Sequence, residues 1–245
     1  MTEIDYYAFY NCTSLSKVQL PNGLTKIGYS AFSGCTSLTE ITIPESVTQI
    51  EGSAFSGCTS LKELTIPDSV TEIGNNAFSG CTSLSKVQLS NALTKIGDYA
   101  FSDCENLTEL TIPDSVTEIG NYAFYNCISL SKAQLSNGLT KIGDYAFGRC
   151  ENLAEITIPD SVISIGGYAF SGCTSLTEIT VSPDNKNYVS VDGVLFSKDM
   201  SRLLAYPAGN NRSTYNVPDG VTEIGNDAFD NCTSLSKVQL QMATK

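Results

Sequence analysis

Residues 123–143 read AFYNCISLSKAQLSNGLTKIG, and this stretch contains every feature that decides the fold. A phenylalanine, a cysteine and a leucine follow one another at three-residue spacing, and the same spacing recurs along the chain. The cysteines lie at positions 12, 35, 58, 81, 104, 127, 150, 173 and 232, so seven successive intervals are 23 residues and the last is 59. A period this strict indicates an internal structural repeat.

Each repeat contains a short segment typical of a β-strand. In residues 109–112 (ELTI) polar and apolar side chains alternate, as in a half-buried strand. Proline follows this segment in six repeats and predicts the end of the strand, because proline cannot donate a hydrogen bond to a sheet. These prolines are Pro21, Pro44, Pro67, Pro113, Pro159 and Pro218. The A-F-x-x-C segment is too short for a regular α-helix and predicts a 3₁₀ turn or a loop.

A glycine follows the last isoleucine of most repeats. We expect these glycines to adopt positive φ in a turn, because glycine reaches that conformation without steric cost. They are Gly28, Gly74, Gly97, Gly120, Gly143, Gly166 and Gly225. Glu51 takes this place in one repeat, and Gly52 follows it.

A single repeat buries too few apolar side chains to offset the conformational entropy of ordering it, so the repeats have to stack. Stacking places one strand of each coil in a parallel sheet at about 4.8 Å spacing, with the phenylalanine, cysteine and aliphatic side chains inside. The sequence therefore predicts a solenoid of about nine coils with little or no α-helix. We expect residues 1–245 to form a single domain of this kind, and neither end of the chain has an evident capping coil.

The repeat pattern A-F-x-x-C-x-x-L, followed by the strand and by L/V-T-x-I-G, resembles the BspA-like class of leucine-rich repeat. The resemblance covers nearly the whole chain. It implies a protein of the bacterial cell surface or a secreted protein, with a role in adhesion to host matrix proteins or to neighbouring cells. The family brings no catalytic residues and no cofactor with it.

The composition argues against several classes of function. The chain has no histidine, which removes Ser-His-Asp and Cys-His nucleophiles and histidine metal ligands, so we expect no enzyme and no cofactor. The formal net charge of −12 argues against nucleic acid as a partner. No apolar run approaches the roughly 18 residues of a membrane-spanning helix. Residues 1–5 show no export signal pattern, and the sequence does not indicate an oligomeric state.

The period breaks once, between the last two cysteines, where residues 182–216 form an irregular insertion. Residues 188–191 and 194–196 flank Asp192-Gly193, a dipeptide typical of a tight β-hairpin turn, and residues 203–206 predict a further strand. The insertion is either a longer coil packed on the solenoid or a protrusion that contacts a ligand. Asp184, Asn185 and Asn187 lack the spacing of a calcium-binding loop.

In stacked coils each repeat position becomes a column on the surface. Lysine and glutamate tend to alternate along two columns beside the strands, which predicts a solvated face of mixed charge. Two residues before the phenylalanine, four consecutive repeats carry Tyr99, Tyr122, Tyr145 and Tyr168. These tyrosines either pack on one another over the turn or form a contact patch for a protein partner, and they are our candidate site. The alternative function is a structural spacer without a specific ligand.

The nine cysteines suggest neither zinc nor disulfides. Paired CxxC motifs are absent from the sequence, and cysteines stacked at about the strand spacing lie farther apart than a disulfide prefers. We expect reduced, buried thiols that fill space in the core and donate weak hydrogen bonds.

Overall fold

The structure, a computed structural model, describes residues 1–240 and is a solenoid of stacked 23-residue coils without α-helix in this range. Residues 241–245 lie outside the described range. The strands in chain order are β1 Glu3–Ile4, β2 Lys26–Ile27, β3 Gln49–Ile50, β4 Glu63–Thr65, β5 Glu72–Ile73, β6 Lys86–Gln88, β7 Lys95–Ile96, β8 Glu109–Thr111, β9 Glu118–Ile119, β10 Lys132–Gln134, β11 Lys141–Ile142, β12 Glu155–Ile158, β13 Ser164–Ile165, β14 Glu178–Val181, β15 Tyr188–Val191, β16 Val194–Ser197, β17 Arg202–Ala205, β18 Thr214–Asn216, β19 Glu223–Ile224 and β20 Lys237–Gln239.

The β structure of a typical coil has two segments rather than the one expected. The predicted strand is present, and in the middle of the solenoid it pairs in parallel with its counterpart in a neighbouring coil, as β8 does with β10. The T-x-I stretch near the end of each repeat forms a second strand of two residues. These second strands build an eight-stranded parallel sheet in the order β1-β2-β3-β5-β7-β9-β11-β13. Partners are one repeat apart, with Lys95 opposite Glu118 and Ile96 opposite Ile119.

The core is a continuous column of phenylalanine, leucine, isoleucine and cysteine side chains. From Phe9 to Phe170 the phenyl rings of successive coils stack with centroids 5.0 to 6.0 Å apart and planes within 12° of parallel. The rings from Phe32 to Phe147 are fully buried. Each coil thus covers the apolar surface of the next, which confirms stacking as the source of the core.

The cysteines from Cys35 to Cys173 are buried, and each thiol donates a hydrogen bond to the phenylalanine carbonyl of the preceding coil. The Sγ atom of Cys127, for example, lies 3.3 Å from the carbonyl oxygen of Phe101. Cys12 is exposed and Cys232 is half-buried, so the expectation that all nine thiols are buried is wrong for the first and last coils. Those two cysteines lack a complete covering coil.

The glycines after the isoleucine do not adopt positive φ, so that expectation is wrong. At six of the seven, all but Gly225, the preceding coil lies too close for a Cβ atom. A Cβ atom built on Gly143 would lie 2.5 Å from the carbonyl carbon of Gly120, closer than any real contact. Positive φ occurs instead two residues later, at Tyr145 for example, and at the residue before the cysteine, such as Asn126. The stretch that leads up to each cysteine, residues 121–126 for example, is a run of turns.

The insertion joins the solenoid through its strands. Strands β15 and β16 form an antiparallel hairpin, and both turn residues, Asp192 and Gly193, have positive φ (53° and 82°). Strand β17 pairs antiparallel with β16 on one side and parallel with β19 on the other. Leu203 of β17 lies in register with Ile224 of β19, so the insertion contributes one irregular coil to the stack.

The close approach at Gly143 predicts a large effect of a single methyl group. We expect Gly143→Ala to destabilise the protein by about 1–3 kcal/mol, because backbone atoms of the preceding coil have to move. The control is Gly23→Ala, since no atom lies within 4 Å of a Cβ at that position. Thermal unfolding followed by circular dichroism compares the two variants. Equal melting temperatures would show that the coils adapt to the added methyl group.

The thiols differ in predicted reactivity. Burial raises the pKa of Cys81 and of Cys173 to about 12, and that of the half-buried Cys232 to about 11. Because the thiolate is the reactive form, we expect one rapid reaction with a disulfide reagent at pH 8, at Cys12, and slow reaction at Cys232 that accelerates as the pH rises toward 11. The other seven should react only after denaturation. Several fast thiols in the native protein would contradict the buried column.

Candidate protein-contact surface

The four predicted tyrosines form one stack, which we call the tyrosine ladder (Tyr99, Tyr122, Tyr145 and Tyr168). Successive ring centroids are 4.6, 4.8 and 4.6 Å apart, and the ring planes are within 12° of parallel. All four residues have φ between 52° and 61°. This left-handed conformation is uncommon for a bulky residue. It is held by the next coil, since the Tyr122 N–H donates to the Asp144 carbonyl at 2.7 Å.

The stacking determines which parts of the ladder tyrosines are accessible to a partner. Each inner ring covers the faces of its neighbours, so only Tyr99 counts as exposed, at 39%, and the other three are half-buried. Burial raises the pKa of Tyr122 and of Tyr145. Tyr125 adds an edge-to-face contact, with its ring centroid 5.4 Å from that of Tyr122. The tyrosines therefore pack on one another, and the accessible parts are ring edges, hydroxyl groups and the outer faces at the two ends.

A second aromatic patch escaped the sequence analysis. The N-terminal tyrosine cluster consists of Tyr6, Tyr7, Tyr10 and Tyr29, whose side chains are 44% to 55% exposed. The Tyr7 ring lies edge-on to Tyr10 and to Tyr29, with centroids 5.5 and 5.7 Å apart. The sequence contains a signal for this cluster, because Tyr7 lies two residues before Phe9, the same spacing as between each ladder tyrosine and its phenylalanine. This cluster exposes more aromatic surface than the ladder does.

The sheet face carries the mixed charge that the sequence predicts. Glu118 accepts contacts from two neighbouring coils, with Lys141 Nζ at 2.7 Å and Lys95 Nζ at 3.4 Å from its carboxylate. The two lysines hold the pKa of Glu118 below its ordinary value. The other charged column, on the first strands, alternates imperfectly, since Glu155 of β12 and Glu178 of β14 lie opposite each other in register. An exposed column of threonine and glutamine lies two residues farther along these first strands, at Gln19, Thr42, Thr65, Gln88, Thr111, Gln134 and Thr157.

The polar side chains of the insertion serve the fold. Asn185 is fully buried, and its side-chain amide donates to the carbonyl oxygens of Pro159 at 2.7 Å and Val162 at 3.1 Å. Its side-chain oxygen accepts the N–H groups of Asn187 and Tyr188. These bonds occupy the oxygen acceptors that a cation would need as ligands. Across residues 1–240 no group of three or more acidic or cysteine side chains is placed to hold a metal ion.

No helix in the described part of the chain is long and apolar enough to cross a membrane. The described structure thus presents polar sheet surfaces, the tyrosine ladder and the N-terminal tyrosine cluster as its most distinctive external features.

Comparison with known proteins identifies the repeat. The family model for the BspA type leucine rich repeat region matches six copies, over residues 2–131, 94–199 and 206–245. Comparison with curated proteins gave no significant match.

Solved structures share the fold. A leucine-rich cell surface protein from Faecalibacterium prausnitzii is 30% identical, with a TM-score of 0.77 over 98% of this chain and 69% of that chain. A leucine-rich repeat protein from Bacteroides ovatus is also 30% identical, with a TM-score of 0.76 over 98% of this chain and 61% of that one. The pneumococcal vaccine antigen PcpA is 29% identical, with a TM-score of 0.70 over 92% of this chain and 53% of that one. The chain therefore spans about half to two thirds of these relatives.

Proposed function

The chain belongs to the BspA-type leucine-rich repeat family, and on that premise we propose that it is a non-enzymatic binding protein of the cell surface. Its partner would be a protein of the host matrix or of a neighbouring cell. The relatives support the location, since one is described as a cell surface protein and another as a vaccine antigen. The tyrosine ladder carries the proposal for the site, because it is an aromatic strip whose rings are held in order by continuous stacking over four coils.

The physical argument for the ladder rests on low entropic cost. Tyrosine offers a large amphipathic contact with few rotatable bonds, and the stacking in this chain already holds the inner rings in place. A partner that covers the ring edges therefore orders few additional side chains. The hydroxyl groups supply hydrogen bonds of either direction along the strip. The exposed threonine and glutamine column provides a separate polar surface, which any test has to distinguish from the ladder.

We expect a variant with Tyr99, Tyr122, Tyr145 and Tyr168 changed to serine to bind a matrix protein at least ten-fold more weakly than the unmodified chain, because it loses all ladder contacts. Surface plasmon resonance against a panel of matrix proteins measures the change. Serine fits the backbone, since Ser30 and Ser53 occupy the same repeat position with φ of 52° and 56°. Circular dichroism checks that the variant remains folded.

The matched control removes polar contacts from the sheet face by changing Gln88 and Gln134 to alanine, both of which are exposed. It should leave the affinity within about two-fold. Unaltered binding by the folded tyrosine variant would exclude the ladder, and a loss in the glutamine variant alone would move the site to the sheet. Absence of saturable binding by the unmodified chain to every protein of the panel would favour a spacer role.

A further inference from the structure

The irregular coil is shorter than the others at one corner. In a regular coil the second strand's isoleucine precedes the core phenylalanine by five residues, as Ile96 precedes Phe101. In the insertion, Leu203 occupies the isoleucine position in register with Ile224, and Tyr206 stacks on Phe229 at 5.3 Å in the phenylalanine position. Leu203 precedes Tyr206 by only three residues. The two missing residues include the position that carries a tyrosine in the ladder.

A cavity of about 160 Å³ lies where those two residues would be. Its lining includes Tyr168 and Phe170 of the preceding coil, Leu204 and Tyr206 of the irregular coil, and Asp227 of the next coil. Phe170 is 7% exposed, whereas the phenylalanines from Phe32 to Phe147 are fully buried. We call this space the interrupted-coil cavity. The Ser171 hydroxyl donates a hydrogen bond to the Asp230 carboxylate at 2.6 Å, which links the coils on the two sides of the cavity.

Backbone groups on both walls lack the partners that the other coils supply. In the preceding coil the Tyr145 N–H donates to the Gly167 carbonyl at 3.0 Å, and the Phe147 N–H donates to the Ala169 carbonyl at 2.9 Å. Within residues 1–240 the corresponding N–H groups of Tyr168 and Phe170 have no protein acceptor. The Asn226 carbonyl, the counterpart of the Gly167 carbonyl, has no protein donor in the same range.

The tyrosine ladder also ends at this cavity. Tyr168 stacks on Tyr145 with one face, and its other face is directed toward the position that the irregular coil omits. The next coil carries Asp227 at the ladder position, with φ of 49°. Within the described chain no aromatic ring covers the outer face of Tyr168. The cavity therefore combines an open ring face with unpaired peptide donors and an unpaired peptide acceptor.

We propose that the interrupted-coil cavity binds an aromatic side chain presented by a peptide segment of a partner protein. The ring would continue the stack on Tyr168, and its peptide groups would pair with the Tyr168 N–H and the Asn226 carbonyl. The volume is large enough for a ring, since a cavity of about 150 Å³ accommodates benzene, and the mixed polar and apolar lining suits the peptide groups and hydroxyl of a tyrosine. The cavity lining contains Asp227, Asp230 and one cation, Arg202, whose guanidinium is paired with Glu223 at 2.9 Å, so the acidic side chains prevail and favour a neutral or basic segment over an acidic one. The assignment rests on the proposed protein-binding role and specifies the feature that would be recognised.

The test is a titration of the ¹⁵N-labelled chain with N-acetyl-L-tyrosinamide, followed by amide chemical shifts. We expect saturable shifts of the Tyr168 and Phe170 amides at millimolar concentration, and at least ten-fold weaker binding of N-acetyl-L-alaninamide, which lacks the ring. Equal effects of the two amides would overturn the proposal. Tighter binding of methyl α-D-glucoside than of the tyrosine amide would also overturn it and indicate a carbohydrate site.

Three variants sharpen the result. Tyr168→Ser should weaken binding of the tyrosine amide at least ten-fold. Tyr10→Ser, at an exposed tyrosine outside the ladder, should leave it unchanged, and equal losses in the two variants would contradict the proposal. A third variant combines Leu204→Gly with an Asp-Tyr insertion before Ala205, which restores the regular repeat, and should abolish binding. Because the titration uses no partner protein, its failure leaves the matrix-protein assay to judge the proposed function by itself.

Discussion

The distance between neighbouring coils, about 4.8 Å where strands pair, is the constraint on which the rest of the structure depends. At this distance the corner after the second strand leaves no room for a Cβ atom, as the 2.5 Å approach at Gly143 shows. The same distance brings each buried thiol to the phenylalanine carbonyl of the preceding coil. The Phe101 carbonyl accepts both the Cys104 N–H and the Cys127 thiol, each at 3.3 Å, so both of its lone pairs are used.

The coil spacing also explains why aromatic side chains form columns both inside and outside. Aromatic rings prefer offset stacking with centroids about 4.5–7 Å apart, which is close to the distance that the backbone imposes. Inside, the centroids of successive phenyl rings are 5.0 Å or more apart. Outside, the ladder tyrosines stack at 4.6 to 4.8 Å. The left-handed backbone in this column costs about 1–2 kcal/mol for a non-glycine residue, and the hydrogen bond to the next coil holds it, since Ser30 and Ser53 adopt the same conformation without ring stacking.

Periodicity alone predicts the repeat, the parallel stacking, the buried columns and the alignment of the four ladder tyrosines. It does not predict the second strand, because two residues such as Lys95–Ile96 are too few for an alternating pattern. Periodicity also does not predict the backbone conformation in the turn after the second strand. Residue preferences assign positive φ to glycine, whereas contact with the next coil places tyrosine in that region and leaves glycine where space is short. Tertiary contacts between coils override the local preference.

The insertion could be located from the sequence, but the cavity could not, because its origin depends on which residue takes which place in the stack. Only the pairing of Leu203 with Ile224 and the stacking of Tyr206 on Phe229 reveal that two residues are missing. A regular solenoid has few concave sites, because each coil fills the space beside its neighbour and pairs its peptide groups. A shortened coil leaves space beside its neighbour and leaves peptide groups without partners at the same place. An interruption of the repeat therefore creates a concave site on a fold built mainly of broad surfaces.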